Sequence, residues 1–331
     1  MYVLMRKGRL ALVVLLYVDD VLYTGDSDEI AKFEKEIARR FDLKSTTQAT
    51  SYLGIDIAQH HDRGEVILSQ PTYIKEAIER FKLQDAKKVR TPLATLANKP
   101  ELTAPLLTDR RLYQAMVGVL LYINLTTRPD ISYAVHFLTR YTAAPTQYHL
   151  SCAKRVLIYL RGTAHHGLIY RRDTNKDILC YVDSSFADAE NRRSTYGYII
   201  SLGGNILQYK TRQQRSVATS TTEAEYTAVA HAVRELMYLR NLTSETDIAL
   251  KDLPTVFVDN QSTLKVLTNN SSTSRIKHID IALQYLKERR DLKYKYVISD
   301  ENIADIFTKP LGFNKYSKFR NAILTDAQEQ E

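Results

Sequence analysis

Cysteine is scarce in this chain: only Cys152 and Cys180 occur in 331 residues. Neither is paired with a second cysteine at metal-ligand spacing, so a disulfide scaffold and a zinc site are not expected. Long apolar runs are also lacking. The stretch Leu10–Leu16 has seven residues, far short of the roughly 20 that a membrane-spanning helix needs. It runs straight into Tyr17-Val18-Asp19-Asp20 with no small-residue cleavage site, so it does not read as a signal peptide. Internal repeats and low-complexity tracts are absent. The expectation is an intracellular, cytoplasmic protein with no membrane partner.

What remains is ordinary globular material, with 44% hydrophobic and 25% charged residues. A chain of this length exceeds what one core usually organises, so two or three modules are expected. Lys and Arg outnumber Asp and Glu by 46 to 38, a net charge of +8 that suits a polyanionic partner without proving one.

Periodicity supplies the elements. Residues 10–24 read as two β-branched strands joined by a turn carrying Asp19 and Asp20. Ile30, Phe33, Ile37 and Phe41 recur at helical spacing after Ser27, which serves as a candidate N-cap. Strands are expected at Tyr52–Ile57 and Val66–Ser69, then a helix from Pro71 to Phe81. Three prolines between Val89 and Pro105 mark a linker. Helices follow at Tyr113–Thr126, Ile131–Tyr141 and Gln147–Leu160. After Lys176 come three strands (Ile178–Ser184, Ser194–Ser201, Ile206–Thr211), a long helix from Thr221 to Leu242 and a strand at Thr255–Val258. Helices at Gln261–Leu267 and Ile279–Arg290, a strand at Tyr294–Ile298 and a last helix complete the order βββαβααβα.

Four acids stand out in that second half: Asp183 in its first strand, an acid in the first turn of the long helix, Asp259 at the end of the fourth strand, and Asp305, placed in the last helix. Helical phase alone does not choose between Glu223 and Glu225. A mixed sheet with helices packed on it can gather such positions. Any one of them, taken alone, reads best as a cap or a solvated charge. Gathered together they cannot all ionise without cations. With oxygen ligands only, the fitting ion is hard, Mg²⁺ or Mn²⁺, and two such ions about 4 Å apart support phosphodiester hydrolysis.

The segments Tyr181-Val182-Asp183, Ser194-Thr195-Tyr196-Gly197-Tyr198, Ser220-Thr221-Thr222-Glu223-Ala224-Glu225-Tyr226, Val258-Asp259-Asn260-Gln261-Ser262, Arg275-Ile276-Lys277-His278-Ile279-Asp280 and Ala304-Asp305-Ile306-Phe307-Thr308-Lys309-Pro310-Leu311 resemble the ribonuclease H region of copia-type retrotransposon Pol polyproteins. The resemblance implies cleavage of the RNA strand of an RNA/DNA hybrid. It selects Glu225 over Glu223, giving Asp183, Glu225, Asp259 and Asp305 as catalytic, metal-binding residues for two Mg²⁺ or Mn²⁺ ions. Two departures are visible. Ser184-Ser185-Phe186 stands where the family usually has an acid and a tryptophan, and no histidine precedes Asp305 in the role that cellular ribonucleases H give one. Neither removes a proposed ligand.

In the first half, Tyr17-Val18-Asp19-Asp20 resembles the catalytic hairpin of reverse transcriptases. Tyr52-Leu53-Gly54-Ile55, Thr91-Pro92-Leu93, Thr127-Arg128-Pro129-Asp130 and Tyr159-Leu160-Arg161-Gly162-Thr163 are similar to copia-type polymerase and connection regions. The resemblance implies that Asp19 and Asp20 are metal ligands of a polymerase remnant. A polymerase of this kind needs a third aspartate on an earlier strand and none precedes the hairpin, so the expectation is a truncated polymerase that does not extend primers alone.

The fold expected is α/β, a ribonuclease H-like mixed five-stranded sheet with flanking helices, preceded by a partial palm hairpin and a helical thumb or connection region. The division expected is 1–90 for the palm, 91–174 for linker and connection, 175–312 for the nuclease and 313–331 for a C-terminal tail. Arg193, Lys210, Arg275 and Lys277 are candidates for phosphate contacts. Asn260 and Gln261 are candidates for sensing a 2′-hydroxyl, with helix capping an equally good reading. Partners expected are the hybrid itself and other products of the same polyprotein. The competing reading is a catalytically silent nucleic-acid-binding remnant.

Overall fold

The computed structural model describes residues 1–42, 48–95, 104–172, 174–246, 248, 250–268 and 280–327. Strands β1 (Tyr2–Arg6), β2 (Arg9–Tyr17) and β3 (Asp20–Gly25) form an antiparallel sheet in that order. The sequence pattern anticipates β2 and β3, whereas β1 is an additional strand. Helix α1 (Ser27–Ala38) starts one residue earlier than expected, with Asp26 rather than Ser27 at its N-cap position. The expected strand Tyr52–Ile57 is two pieces, β4 (Ser51–Tyr52) and β5 (Ile55–His60). Leu53 and Gly54 between them both have positive φ, 50° and 75°, which no strand accommodates. β6 (Glu65–Ser69) and α2 (Pro71–Arg80) follow.

Helices α3 (Arg111–Thr126), α4 (Ser132–Thr139, entered through a 3₁₀ turn at Pro129–Ile131) and α5 (Gln147–Gly162) carry one core with α2. Within the expected linker Leu93 is buried in that core; residues 96–103 lie outside the described residues. After α5 comes a strand the sequence did not signal, β7 (His166–Arg171), which pairs antiparallel with β6 across about 100 residues of chain.

The second half is built from β8 (Ile178–Ser185), β9 (Thr195–Leu202), β10 (Asn205–Gln213), α6 (Thr221–Glu245), β11 (Thr255–Val258), α7 (Gln261–Thr268), α8 (Asp280–Lys287) and β12 (Lys293–Tyr296). Their sheet has the order β10-β9-β8-β11-β12. β8, β9 and β10 are antiparallel neighbours, and β11 lies parallel to both β8 and β12. This is the mixed five-stranded sheet of the ribonuclease H fold. Alternation along β9 explains why it is buried on both sides. Tyr196, Tyr198 and Ile200 pack with α6, while Ile199 faces the opposite way, into the core of α3–α5. Each such apolar side chain contributes about 1.5–3 kcal/mol by leaving water.

Two expectations about the C-terminal end are corrected. Asp305 is not in the last helix but in a 3₁₀ turn, Ile303–Phe307, that precedes it. Residues after 312 do not begin a tail. They form α9 (Phe313–Ile323) and β13 (Thr325–Asp326), with Tyr316 and Phe319 buried. β13 pairs with β7 in a second five-stranded sheet of order β13-β7-β6-β5-β4. The C-terminal segment therefore joins the sheet of β4–β7 and packs with the connection helices.

Candidate metal centre

The sheet register brings the acids together. Asp183 lies near the end of β8, opposite Gly197 of β9. β11 runs parallel to β8 with Val258 beside Val182, so Asp259, the next residue, emerges beside Asp183. Asp305 arrives from above, because its 3₁₀ turn lies across β8 and β9. Gly197 makes that approach possible: a Cβ there would stand 2.4 Å from the Cβ of Phe307. The turn is pinned on both sides. Asn302 donates to the Val182 carbonyl (2.9 Å) and the Thr211 hydroxyl donates to the Phe307 carbonyl (2.8 Å). One oxygen from each of Asp183, Asp259 and Asp305 falls within a cluster 4.8 Å across.

Glu225, just past the first turn of α6, is not one of the three acids within 4.8 Å; the N-terminus of its helix is capped by the Ser220 hydroxyl, which accepts from the Glu223 N–H (3.1 Å). Glu223 turns back to accept from the Thr219 N–H at 2.7 Å. Glu225 points inward instead and is buried. Its Oε2 has no hydrogen-bond partner, and burial, followed by the charges of Asp183 and Asp259, pushes its carboxyl well above the usual range. Asp183 is pushed up to about 7, by burial first; Lys309 opposes that, while Asp305 and Asp259 add to it.

Two ammonium groups stand among these acids. The Lys309 Nζ lies 2.7 Å from Asp305 Oδ1 and 3.5 Å from Asp183 Oδ2. Burial works against its charge, yet the two carboxylates more than offset this and hold it above the ordinary lysine range. Lys315 of α9 reaches Asp305 Oδ2 at 2.7 Å from the other side. The Thr308 hydroxyl donates to Asp183, and the Ser299 hydroxyl donates to Asp259 Oδ2 at 2.9 Å. Lys309, Lys315, Ser299 and Thr308 escaped the sequence reading. Only Lys309 carries a signal, its i,i+4 spacing from Asp305.

The donor set suits a hard divalent cation. It offers carboxylate oxygens without histidine or cysteine, and the unsatisfied buried oxygen of Glu225 is costly unless a cation or proton meets it.

The other predicted residues are placed as follows. Asp19 and Asp20 are exposed at the β2–β3 turn, where Val18 adopts φ 52°. Among the described residues, no further acids cluster with them at metal-binding distance. The Asn260 Oδ1 caps α7, accepting from the N–H groups of Ser262 and Thr263 at 2.9 and 3.0 Å. Gln261 and Arg193 are exposed, and Lys210 pairs with Glu235 at 3.3 Å. Arg275 and Lys277 lie outside the described residues. No helix among the described residues is long and apolar enough to cross a membrane.

The chain is similar to several known proteins. A family model described as reverse transcriptase (RNA-dependent DNA polymerase) matches residues 1–95. The retrovirus-related Pol polyprotein from transposon TNT 1-94 of Nicotiana tabacum is 33% identical over 316 residues, covering 92% of this chain and 24% of that protein. The chain thus spans about a quarter of such a relative. A putative transposon Ty5-1 protein of Saccharomyces cerevisiae is 33% identical over 226 residues, 67% of this chain and 73% of that one. Among solved structures, the N-terminal RNase H domain of Rv2228c from Mycobacterium tuberculosis aligns with 47% of this chain and 100% of its own, at 13% identity and a TM-score of 0.31. The strand order, rather than that overlap, identifies the fold. The chain belongs to the copia-type retrotransposon Pol polyprotein family.

Proposed function

We propose that the second half of this chain is a ribonuclease H that hydrolyses the RNA strand of RNA/DNA hybrids, leaving a 3′-hydroxyl and a 5′-phosphate. The observation that carries this reading is the convergence of Asp183, Asp259 and Asp305 within 4.8 Å beside Glu225, a buried acid with an unsatisfied oxygen. These four would hold two Mg²⁺ or Mn²⁺ ions, which supply an activated water and neutralise the leaving oxygen when bound. The chain's own residues do the rest. β8 and β11 fix the spacing of Asp183 and Asp259, and the pinned 3₁₀ turn fixes Asp305. Burial on α6 keeps water from competing for Glu225. Lys309 holds the acids together by balancing part of their charge.

Arg193, Lys210, Arg275 and Lys277 are proposed to carry the phosphate backbone, giving salt-dependent affinity independent of sequence. Gln261, with the amide of Asn260, is proposed to read the 2′-hydroxyl. The working division is a polymerase portion over 1–90, in which Asp19 and Asp20 would hold polymerase metals, a connection over 91–174, and the nuclease over 175–312 together with α9. Other products of the same polyprotein are the proposed protein partners, and the cytoplasm the proposed location. The test is incubation with an end-labelled hybrid in Mg²⁺ or Mn²⁺. Cleavage by the wild type and none by Asp259→Asn is expected; equal products from both would overturn the reading.

One observation favours a second reading. Lys309 and Lys315 already neutralise Asp305 with ion pairs of 2.7 Å each, as a silent nucleic-acid-binding remnant would allow. That reading predicts hybrid binding with a steep salt slope and no cleavage under any divalent ion.

A further inference from the structure

α9 does more than close the fold, because it delivers a side chain that joins two acid-bearing segments. The Lys315 ammonium forms an ion pair with Asp305 Oδ2 at 2.7 Å and donates to the Ser299 carbonyl at 2.9 Å and to Asp300 Oδ1 at 3.2 Å. Asp305 belongs to the 3₁₀ turn. Ser299 and Asp300 belong to the loop that leaves β12, and the Ser299 hydroxyl holds Asp259 Oδ2 at 2.9 Å. A continuous path therefore runs from Asp305 through Lys315 and Ser299 to Asp259. Lys318, one turn further along α9, tethers the same loop through the Asp300 carbonyl at 2.7 Å.

α9 is itself fixed to the connection side of the molecule. Tyr316 donates to the Asp130 carbonyl at 3.2 Å. The Arg90 guanidinium stacks over the Phe313 ring at 3.3 Å from its centroid, and β13 pairs with β7. The span between Asp259 and Asp305 is thus referenced to a body outside the sheet that bears Asp183.

We propose that Lys315 is a positioning residue of the metal centre, setting the separation of Asp259 and Asp305 from α9; this rests on the reading of those acids as a divalent-cation site. Simple electrostatics and positioning predict opposite signs. An ammonium 2.7 Å from a metal ligand competes with a cation, so removing it as mere counter-charge tightens divalent binding. If it sets the geometry, removing it loosens binding, because ligands left without their outer supports typically lose tenfold or more in metal affinity.

The experiment is Mn²⁺ titration by calorimetry on the full chain, with no nucleic acid present, for the wild type, Lys315→Met, Lys315→Arg, Ser299→Ala and Asp259→Asn. Ser299→Ala breaks the same path at its other end without changing charge. Lys315→Met and Ser299→Ala are each expected to weaken Asp259-dependent Mn²⁺ binding about tenfold, with unchanged near-ultraviolet circular dichroism. Lys315→Arg, which keeps a cationic donor, is expected to recover part of the loss. Tighter or unchanged binding in Lys315→Met overturns the proposal, as does unchanged binding in Ser299→Ala or the absence of Asp259-dependent binding in the wild type. Failure of the nuclease reading is separable. Wild-type protein that binds Mn²⁺ with this mutational pattern, yet leaves a hybrid uncut, refutes the proposed activity and leaves the role of Lys315 standing.

Discussion

Asp183→Asn should remove a pH-dependent cost built into the acid cluster of β8 and β11. Asp183 is buried beside Asp259 and Asp305, and its carboxyl is pushed up to about 7 from an ordinary 3.8. The folded protein then binds more protons than the unfolded chain between those two values. Stability contributed by this group is present in full below about pH 4 and is lost as pH rises through about 7. A shift of that size corresponds to about 4 kcal/mol, a sizeable share of the ~5–15 kcal/mol by which domains are stable. Glu225 shifts in the same direction and adds to the trend.

The assay is urea denaturation in EDTA at pH 5 and pH 8 for wild type and Asp183→Asn. The asparagine keeps an acceptor for Thr308 but cannot ionise. Because part of the cost is already present at pH 5, wild type should lose about 2–3 kcal/mol relative to the variant between the two pH values, and Mn²⁺ at pH 8 should restore wild type only. Parallel pH dependences for the two proteins would refute the reasoning, because they would mean that Asp183 ionises in the fold without penalty.

Gly197→Ala places a methyl 2.4 Å from the Phe307 Cβ; it should cost about 1–3 kcal/mol by overpacking and, by lifting the 3₁₀ turn, weaken Mn²⁺ binding in the same titration. Arg128→Met leaves Asp130, itself buried and paired to Arg128 at 2.8 Å, with an uncompensated charge, so urea melts should show a loss of about 3–5 kcal/mol. Arg193→Gln should lower the slope of hybrid affinity against salt concentration by about one, without changing preference among hybrid sequences. Fluorescence anisotropy over a salt series measures that slope.

The sheet of β8–β12 and the long helix α6 were legible because their apolar residues follow one period without interruption. In β9, Tyr196, Tyr198 and Ile200 mark one face by themselves. The acids were legible only as a set, since Glu223 and Glu225 differ by what surrounds them in space: Glu223 caps its own helix, and Glu225 faces Asp183. Elements defined by distant partners were not legible. β7 finds β6 about 100 residues away, and β13 has two residues, too few for any period. Leu53 broke an apparently continuous strand because its backbone is left-handed, which its side chain does not announce. Lys315 was invisible for a related reason. A lysine near the end of a chain reads as a solvated charge until the fold places it against Asp305.

Asp183, Glu225, Asp259 and Asp305 are proposed to act as one hydrolytic site on an RNA/DNA hybrid. Single-turnover cleavage of a labelled hybrid in Mn²⁺, by wild type and by each of the four acid-to-amide variants, tests it most directly. Products are expected from wild type alone, with every variant at the level of the buffer blank and an all-DNA duplex untouched. Wild-type rates in any of the four variants, or an uncut hybrid with wild type, would contradict it.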